Sequence, residues 1–514
     1  MLTPTATSAR SLVQRLNLGG RVMRNSAYLF GANTVAKLLA FLLNMLIIWG
    51  MSDEDFGIYR WVVAFVGIFA NLVDLGLLRV GVRSIARSPD QACEVFRGLC
   101  RTKAVLSIFS AGLLVVTVEF FLHSIDQFAT IRILSYIWFL VVVVHVMRKN
   151  HEAVFLGLER MGWTALFLIT NRFLTLAFVA VFLLFSKDII ALFVVFLLVD
   201  VIDLIGQWVA MRRLMRLELD AIQRAHLERL AEAGREPEPP ARRTLGQWIR
   251  EGLPFGLQEL TAEIYMRIDS VMLGILLSHT AVSDYNKAYL ILTSVLVLPN
   301  AISQAVFPRL SEMQRRDPDE MRRYFRRSYL LMIALGPFVM AGMMVAAPLV
   351  LTAMKGNTPE VTLVYVVAMS SLPLYFLTMP LSYFLGAVDR QVYVTCVSVI
   401  MALFNITVNF YLIPDFGPLG AATATILTEA LALALFSAFL QRHYPGLFDL
   451  RGLVQLAAIH AAMLLMMWGA WQVGYWAMVP ALLLYGAATL AILTRLRISH
   501  APPSPTTPAT HGGA

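Results

Sequence analysis

Long apolar blocks recur along the chain, separated by short polar segments. Each is close to the roughly 20 residues that an α-helix needs to cross a bilayer. Fourteen such runs are legible, at 26–50, 58–82, 104–122, 131–148, 163–185, 189–211, 253–277, 285–307, 329–353, 361–386, 392–413, 419–440, 452–472 and 475–494. Pro299 and Pro373 fall inside runs eight and ten and predict kinks, which membrane helices tolerate. The pattern predicts an all-α polytopic membrane protein with 14 transmembrane helices.

The connections alternate in charge. One set is rich in Arg and Lys: the N-terminal segment, Arg83 to Lys103, Arg148 to Arg160, Arg212 to Arg216, Arg309 to Arg327, Arg390, Arg442 with Arg451, and Arg495 with Arg497. The other set is short and poor in cations, with Asp53, Glu54 and Asp55 followed by HSIDQ, SKD, SHTAVSD, MKGNTPE and PDFG. Cations stay on the cytoplasmic side, so the alternation predicts that both termini are cytoplasmic. The longest connection, about 211–250, begins as a basic amphipathic pattern and breaks at Pro237, Pro239 and Pro240. It reads as a linker at the lipid surface or as a docking segment for assembly proteins.

Composition narrows the class further. Hydrophobic residues make up 58% and charged residues 15%, against about 45–50% and about 25% in soluble proteins. A soluble enzyme, a disordered chain and a secreted disulfide scaffold are excluded. The net charge of +9 recurs between apolar runs rather than on one face, so no nucleic-acid partner is expected. Cys93, Cys100 and Cys396 form no ligand or disulfide pattern. The first 25 residues lack the apolar core of a signal peptide, and the end, APPSPTTPATHGGA, reads as a disordered tail. No Walker, GxSxG, HExxH or CxxC motif occurs. The chain is therefore expected not to be an enzyme and to need no metal or cofactor.

The chain also repeats itself. Phe30-Gly31 corresponds to Phe255-Gly256, Tyr59 to Tyr285, Arg83 to Arg309, FLGLER at 155–160 to FLGAVDR at 384–390, and Asp200 to Glu429. The spacing drifts only from about 225 to about 229 residues, an ordered set that chance does not supply. Six spans per repeat return the chain to the same side, so the repeats are parallel and related by an axis along the membrane normal. The expected organisation is an N-terminal segment 1–25, an N-lobe 26–211, an inter-lobe connection 212–250, a C-lobe 251–440, two extra helices in 441–494 and a tail 495–514.

Ionisable residues inside apolar spans are costly unless they face a cavity or a partner. Lys37, Arg172, Glu263 and Arg267 are the candidates for a central cavity, and Lys37 and Glu263 hold matching places in the two repeats. Glu259, Glu263 and Arg267 recur at four-residue spacing on one helix face. Asp74, Asp200, Glu259, Asp269 and Glu429 are candidates either for coupling or for hydrogen bonding within a lobe; Glu119 sits near a span end and is expected to snorkel.

Several segments then resemble the polysaccharide-transporter, or lipid-linked oligosaccharide flippase, family. They are NSAYLFGANTVAKLL, FGIY and DLGL in the first two spans, and GLPFGLQELTAEIYMRIDSVMLGILL, SDYNKAY, PNAISQAVFPRLSEM, FLGAVDR and NITVNFYLIPDFGPLGAATATILTE in the second half. The resemblance covers about residues 25–440. It implies membership of the superfamily that also holds multidrug and toxin extruders and lipid II flippases, with two six-helix lobes around a central cavity. It implies translocation of undecaprenyl-diphosphate-linked oligosaccharide across a bacterial plasma membrane, with the lipid-linked oligosaccharide and membrane lipids as partners. On that reading Lys37, Arg172 and Arg267 neutralise the anionic head group. Competing readings are a cation-coupled exporter, a lipid II flippase, and a non-transporting scaffold acting through the 211–250 connection.

Overall fold

A computed structural model describes residues 6–123, 127–214, 232, 243–448 and 450–498. Most of the 212–250 connection and residues 499–514 of the expected tail lie outside the described residues. Among the described residues all regular structure is helical. The helices are α1 (Ala6–Gly50), α2 (Asp53–Asp74), α3 (Leu77–Arg87), α4 (Ala92–Phe121), α5 (Phe128–Gly157), α6 (Met161–Phe185), α7 (Ile189–Leu214), α8 (Leu245–Leu276), α9 (His279–Val295), α10 (Val297–Arg316), α11 (Pro318–Ala353), α12 (Pro359–Ser370), α13 (Leu372–Ala387), α14 (Gln391–His443), α15 (Leu450–Val473) and α16 (Tyr475–Ile498).

Among the described residues ten helical segments are long and apolar enough to cross a membrane. Their outward faces carry large apolar side chains such as Ile108, Phe109, Phe120, Phe121, Leu184 and Phe185. In water such a surface aggregates, and in lipid it is solvated. The protein is a multi-pass membrane protein. α8 falls outside the ten because Glu259, Glu263, Arg267 and Asp269 dilute its apolar run.

Local chemistry explains the breaks. α2 ends where Leu75 and Gly76 adopt left-handed backbone, at φ 44° and 70°. A Cβ on Gly76 would stand 2.5 Å from the Phe255 Cβ and 2.7 Å from the Gly256 nitrogen, so only glycine permits α8 this close. Leu296 and Ser371 interrupt helices just ahead of Pro299 and Pro373, each of which then lies in the first turn of the next helix. There the missing N–H costs nothing. In α14 Gly417 is non-helical, at φ 57° and ψ −135°. Tyr393 donates to the Leu435 carbonyl at 2.9 Å and stacks on Phe439 at 3.9 Å. A straight helix would hold these residues about 60 Å apart, so α14 is a helical hairpin turning at Gly417.

The helix starts repeat as the sequence pattern predicts. Asp53 opens α2 and His279 opens α9; Ala92 and Pro318 open α4 and α11; Met161 and Gln391 open α6 and α14. The C-terminal residues of α1 and α8 are Gly50 and Leu276.

The chain forms two compact units. The first comprises residues 1–290, 353–355 and 402–421, and in it α1 packs on α6, α5 on α7, and α2 on α8. The second comprises 291–352, 356–401 and 422–514. In it α10 packs on α13 and α15 on α16, with Met467, Met478 and Tyr485 against Ala341 and Val345 of α11.

Candidate functional site: charged groups within the spans

Two ionic networks lie in the core of the first unit. Asp74, at the end of α2, is 1% exposed. Lys103 of α4 is fully buried with its Nζ 2.6 Å from Asp74 Oδ1. Lys103 also donates to the Val146 carbonyl at 3.3 Å. Lys149 of α5 donates to Asp74 Oδ2 at 3.3 Å. In the second network Arg148 pairs with Asp200 at 3.1 Å and with Asp203, while Gln207 donates to Asp203 at 2.9 Å and Asn171 to Asp200 at 2.9 Å. Arg148 also lies 2.8 Å from His145 Nδ1, which must accept because a guanidinium has no acceptor.

Sequence reasoning placed Lys103, Arg148 and Lys149 in basic connections. They lie instead on helices that continue past the apolar runs, since α4 begins at Ala92 and α5 ends at Gly157. Hydropathy locates the hydrocarbon-compatible part of a helix, not its ends. These cations neutralise acids that hydropathy alone leaves unmatched.

Glu259 and Glu263 of α8 are held by different cations. Arg79 of α3 lies 3.1 Å from Glu259. Arg267 pairs with Glu263 one turn away and donates to the Val63 carbonyl at 3.2 Å. Asp269 accepts from Tyr285 at 2.6 Å and from Asn409 at 2.6 Å. In the second unit Glu429 is 2% exposed and accepts from Thr378 at 2.8 Å. Glu119, near the end of α4, accepts from Tyr136 at 2.6 Å and lies 3.8 Å from Arg132.

The remaining cations differ in kind. Among the described residues Lys37 and Arg172 have no hydrogen bond to another side chain and no carboxylate within 4 Å; Lys37 is exposed and Arg172 partly buried. Asp200 and Arg148 act on Arg172 with opposite sign. Arg60 of α2 was not singled out by the sequence. Its Nε donates to Asn286 Oδ1 at 2.8 Å, and Asn44 Oδ1 lies 3.5 Å away. Two neutral amides thus orient it without cancelling its charge. The signal that could have found it is the repeat, because Asn286 is its counterpart 226 residues on. Arg60, Arg172 and Arg267 all act electrostatically on Tyr59, whose ring packs with Trp138, Phe193 and Phe196. Among the described residues, the apolar runs of the first unit therefore hold three cations, Lys37, Arg60 and Arg172, that no carboxylate within 4 Å neutralises. Among the described residues no group of acids, histidines and cysteines is arranged to hold a metal ion.

Helices of this length with charges held inside them define a polytopic membrane protein of the transporter class. The chain belongs to the polysaccharide biosynthesis protein family, whose pattern matches residues 22–314; the MatE family pattern matches residues 254–411. It is 20% identical over 428 residues to "Putative O-antigen transporter" of Shigella flexneri, covering 80% of this chain and 96% of that protein. It is 29% identical over 211 residues to "Probable flippase AglR" of Haloferax volcanii, covering 39% of this chain and 42% of that protein. The match thus spans less than half of the Haloferax protein. Among solved structures it shares the fold of the lipid II flippase MurJ in an inward closed conformation, with a TM-score of 0.70 and 12% identity over 93% of this chain and 100% of that one. An inward-facing multidrug resistance MATE transporter of the MOP superfamily matches with a TM-score of 0.61 and 14% identity, over 82% of this chain and 95% of that one.

Proposed function

We propose that the protein is a flippase that moves undecaprenyl-diphosphate-linked oligosaccharide from the inner to the outer leaflet of a plasma membrane. The observation that carries this reading is the set Lys37, Arg60 and Arg172, cations kept inside apolar helices without a carboxylate partner. Each costs about 2.5–3.5 kcal/mol at mid-membrane. A diphosphate offers the missing negative charge and several strong acceptors. Family membership and the name of the Shigella relative support a polysaccharide substrate, and the name of the Haloferax relative supports flippase activity.

The reading includes fourteen spans. In support of it stand the ten apolar segments, to which the reading adds α8, the second arm of the α14 hairpin and the two shorter apolar stretches 458–470 and 476–491. Spans one to six and seven to twelve form two lobes, residues 26–211 and 251–440, that rock to give alternating access to a central cavity. Both termini and the 212–250 connection are cytoplasmic, and that connection docks assembly proteins. Lys37, Arg172 and Arg267 line the cavity with Glu263, and Arg60 joins them. A cation exporter would rest on acids left without cations; Asp74, Asp200, Asp203, Glu259 and Glu263 each have a basic partner, and buried Asp269 and Glu429 accept from Tyr285, Asn409 and Thr378.

The test is analysis of lipid-linked sugars in cells that lack the protein. Accumulation of complete lipid-linked oligosaccharide on the inner leaflet, reversed by the intact gene, is the expected result. Unchanged amounts and distribution would reject the reading.

A further inference from the structure

At the arginine-rich end of the first unit the C-terminal turn of α3, the N-terminal turns of α4 and the start of α8 enclose a cavity of about 170 Å³. A single water needs roughly 10–15 Å³ by that measure, so the space admits a tetrahedral anion with its hydration. Its wall carries Arg87, Arg97, Arg101 and Arg243, with Glu94 as the acid. Glu94 lies 3.7 Å from Arg97; with Glu251 at Arg243, two acids face four guanidinium groups and the surroundings stay net positive. Arg243 is fixed from two sides: it donates to Ser84 Oγ at 2.8 Å and stacks over the Trp248 ring at 4.8 Å. Glu251 contacts it at 3.4 Å. Arg87 and Arg101 have no hydrogen bond or ion pair to a described residue.

The cavity is built, not a chance gathering of surface charge. Trp248 is 3% exposed, and its indole N–H donates to no described residue although it lines the space. Gly98 lets the indole approach α4, since a Cβ there would stand 2.8 Å from Nε1. The N-terminus of the 30-residue helix α4 adds its positive dipole end. Four guanidinium groups, an indole N–H that no described residue accepts and a helix N-terminus all favour one ligand chemistry, a phosphate.

We propose that this cavity binds the phosphate group of an anionic ligand, as basic pockets at membrane helix ends bind lipid head groups. A phospholipid head group, a polyprenyl diphosphate and free phosphate share that chemistry. Lys37, Arg60 and Arg172 do not line this cavity, and the proposal does not rest on the flippase reading.

Purified full-length protein in neutral detergent is titrated separately with phosphatidylglycerol, undecaprenyl diphosphate, inorganic phosphate and, as a zwitterionic control, phosphatidylcholine. Binding is read by native mass spectrometry. At least one phosphate probe is expected to bind the wild type and to bind the Arg87→Ala/Arg101→Ala protein about tenfold or more weakly. The Arg87→Lys/Arg101→Lys protein should recover part of the affinity. An Arg315→Ala/Arg323→Ala protein, altered at another basic connection, should bind as wild type. Preference for phosphatidylglycerol assigns the site to bulk phospholipid, binding of undecaprenyl diphosphate alone assigns it to a polyprenyl carrier, and binding of inorganic phosphate without either lipid assigns it to a soluble anion. Equal binding by wild type and the pocket variant for every probe, or binding by none, overturns the proposal. Because the readout is binding, the result is independent of whether the protein transports.

Discussion

Replacing Asp74 by Asn removes the charge that holds two helices onto α2 while keeping the side chain's shape. The structure sets the magnitude. Lys103 is fully buried with its Nζ 2.6 Å from the carboxylate, and the Val146 carbonyl at 3.3 Å is its other contact. Breaking one side of such a buried pair costs about 3–5 kcal/mol, because the surviving charge stays desolvated. Lys149 adds little, since its side chain is 27% exposed and partly solvated pairs contribute about 0–1 kcal/mol. Equilibrium unfolding in mixed detergent should therefore show Asp74→Asn destabilised by about 3–5 kcal/mol. The Asp74→Leu/Lys103→Met double variant should return to within about 1 kcal/mol of wild type, because removing both charges removes the desolvation penalty. Transport by the double variant should recover with abundance. Additive effects of the single substitutions, or an Asp74→Asn protein within about 0.5 kcal/mol of wild type, would refute the reasoning. A double variant that is stable but inactive would move Asp74 from the structural role to a coupling role.

The other predictions probe separate features. Arg60→Ala and Arg172→Ala should lower lipid-linked sugar export about tenfold or more at near-normal abundance, measured by surface polysaccharide against protein level; equal loss of both would mark the cations as structural. Lys37→Ala should behave alike, and wild-type export in that variant removes Lys37 from the site. Gly76→Ala forces a Cβ to within 2.5 Å of α8 at a positive φ, so it should lower thermal stability by more than the roughly 1 kcal/mol of a simple glycine replacement, seen as a reduced detergent melting temperature. In a protein freed of Cys93, Cys100 and Cys396, an impermeant thiol reagent added outside cells should label a cysteine at Thr358 and miss one at Arg235; the reverse inverts the topology.

The fold was more legible than the site, for a physical reason. Apolar runs, loop charge and duplication are carried by residues near one another in sequence or at a constant spacing, and the matching helix starts at Asp53 and His279 follow from them. The Glu263–Arg267 pair was equally readable, because it lies within one helical turn. The Asp74–Lys103–Lys149 and Arg148–Asp200–Asp203 networks were not. Their members come from different helices, and packing alone decides which cation meets which acid. Arg60 was hidden by its place beside the acidic DED segment, where a cation looks like a loop charge. Its partners Asn44 and Asn286 are neutral, so no charge pattern pointed to it.

The central claim is that this chain itself carries a diphosphate-linked oligosaccharide across a bilayer. Its most direct test is reconstitution of the purified protein into liposomes holding undecaprenyl-diphosphate oligosaccharide, with accessibility of the sugar to an external lectin or glycosidase followed over time. The account predicts that wild-type protein brings inner-leaflet sugar to the outside, while an Arg60→Ala/Arg172→Ala protein reconstituted at the same level does so about tenfold more slowly or worse. Sugar accessibility equal to that of protein-free liposomes, with correctly folded protein in the membrane and both faces energised by pH and sodium gradients in turn, would contradict it.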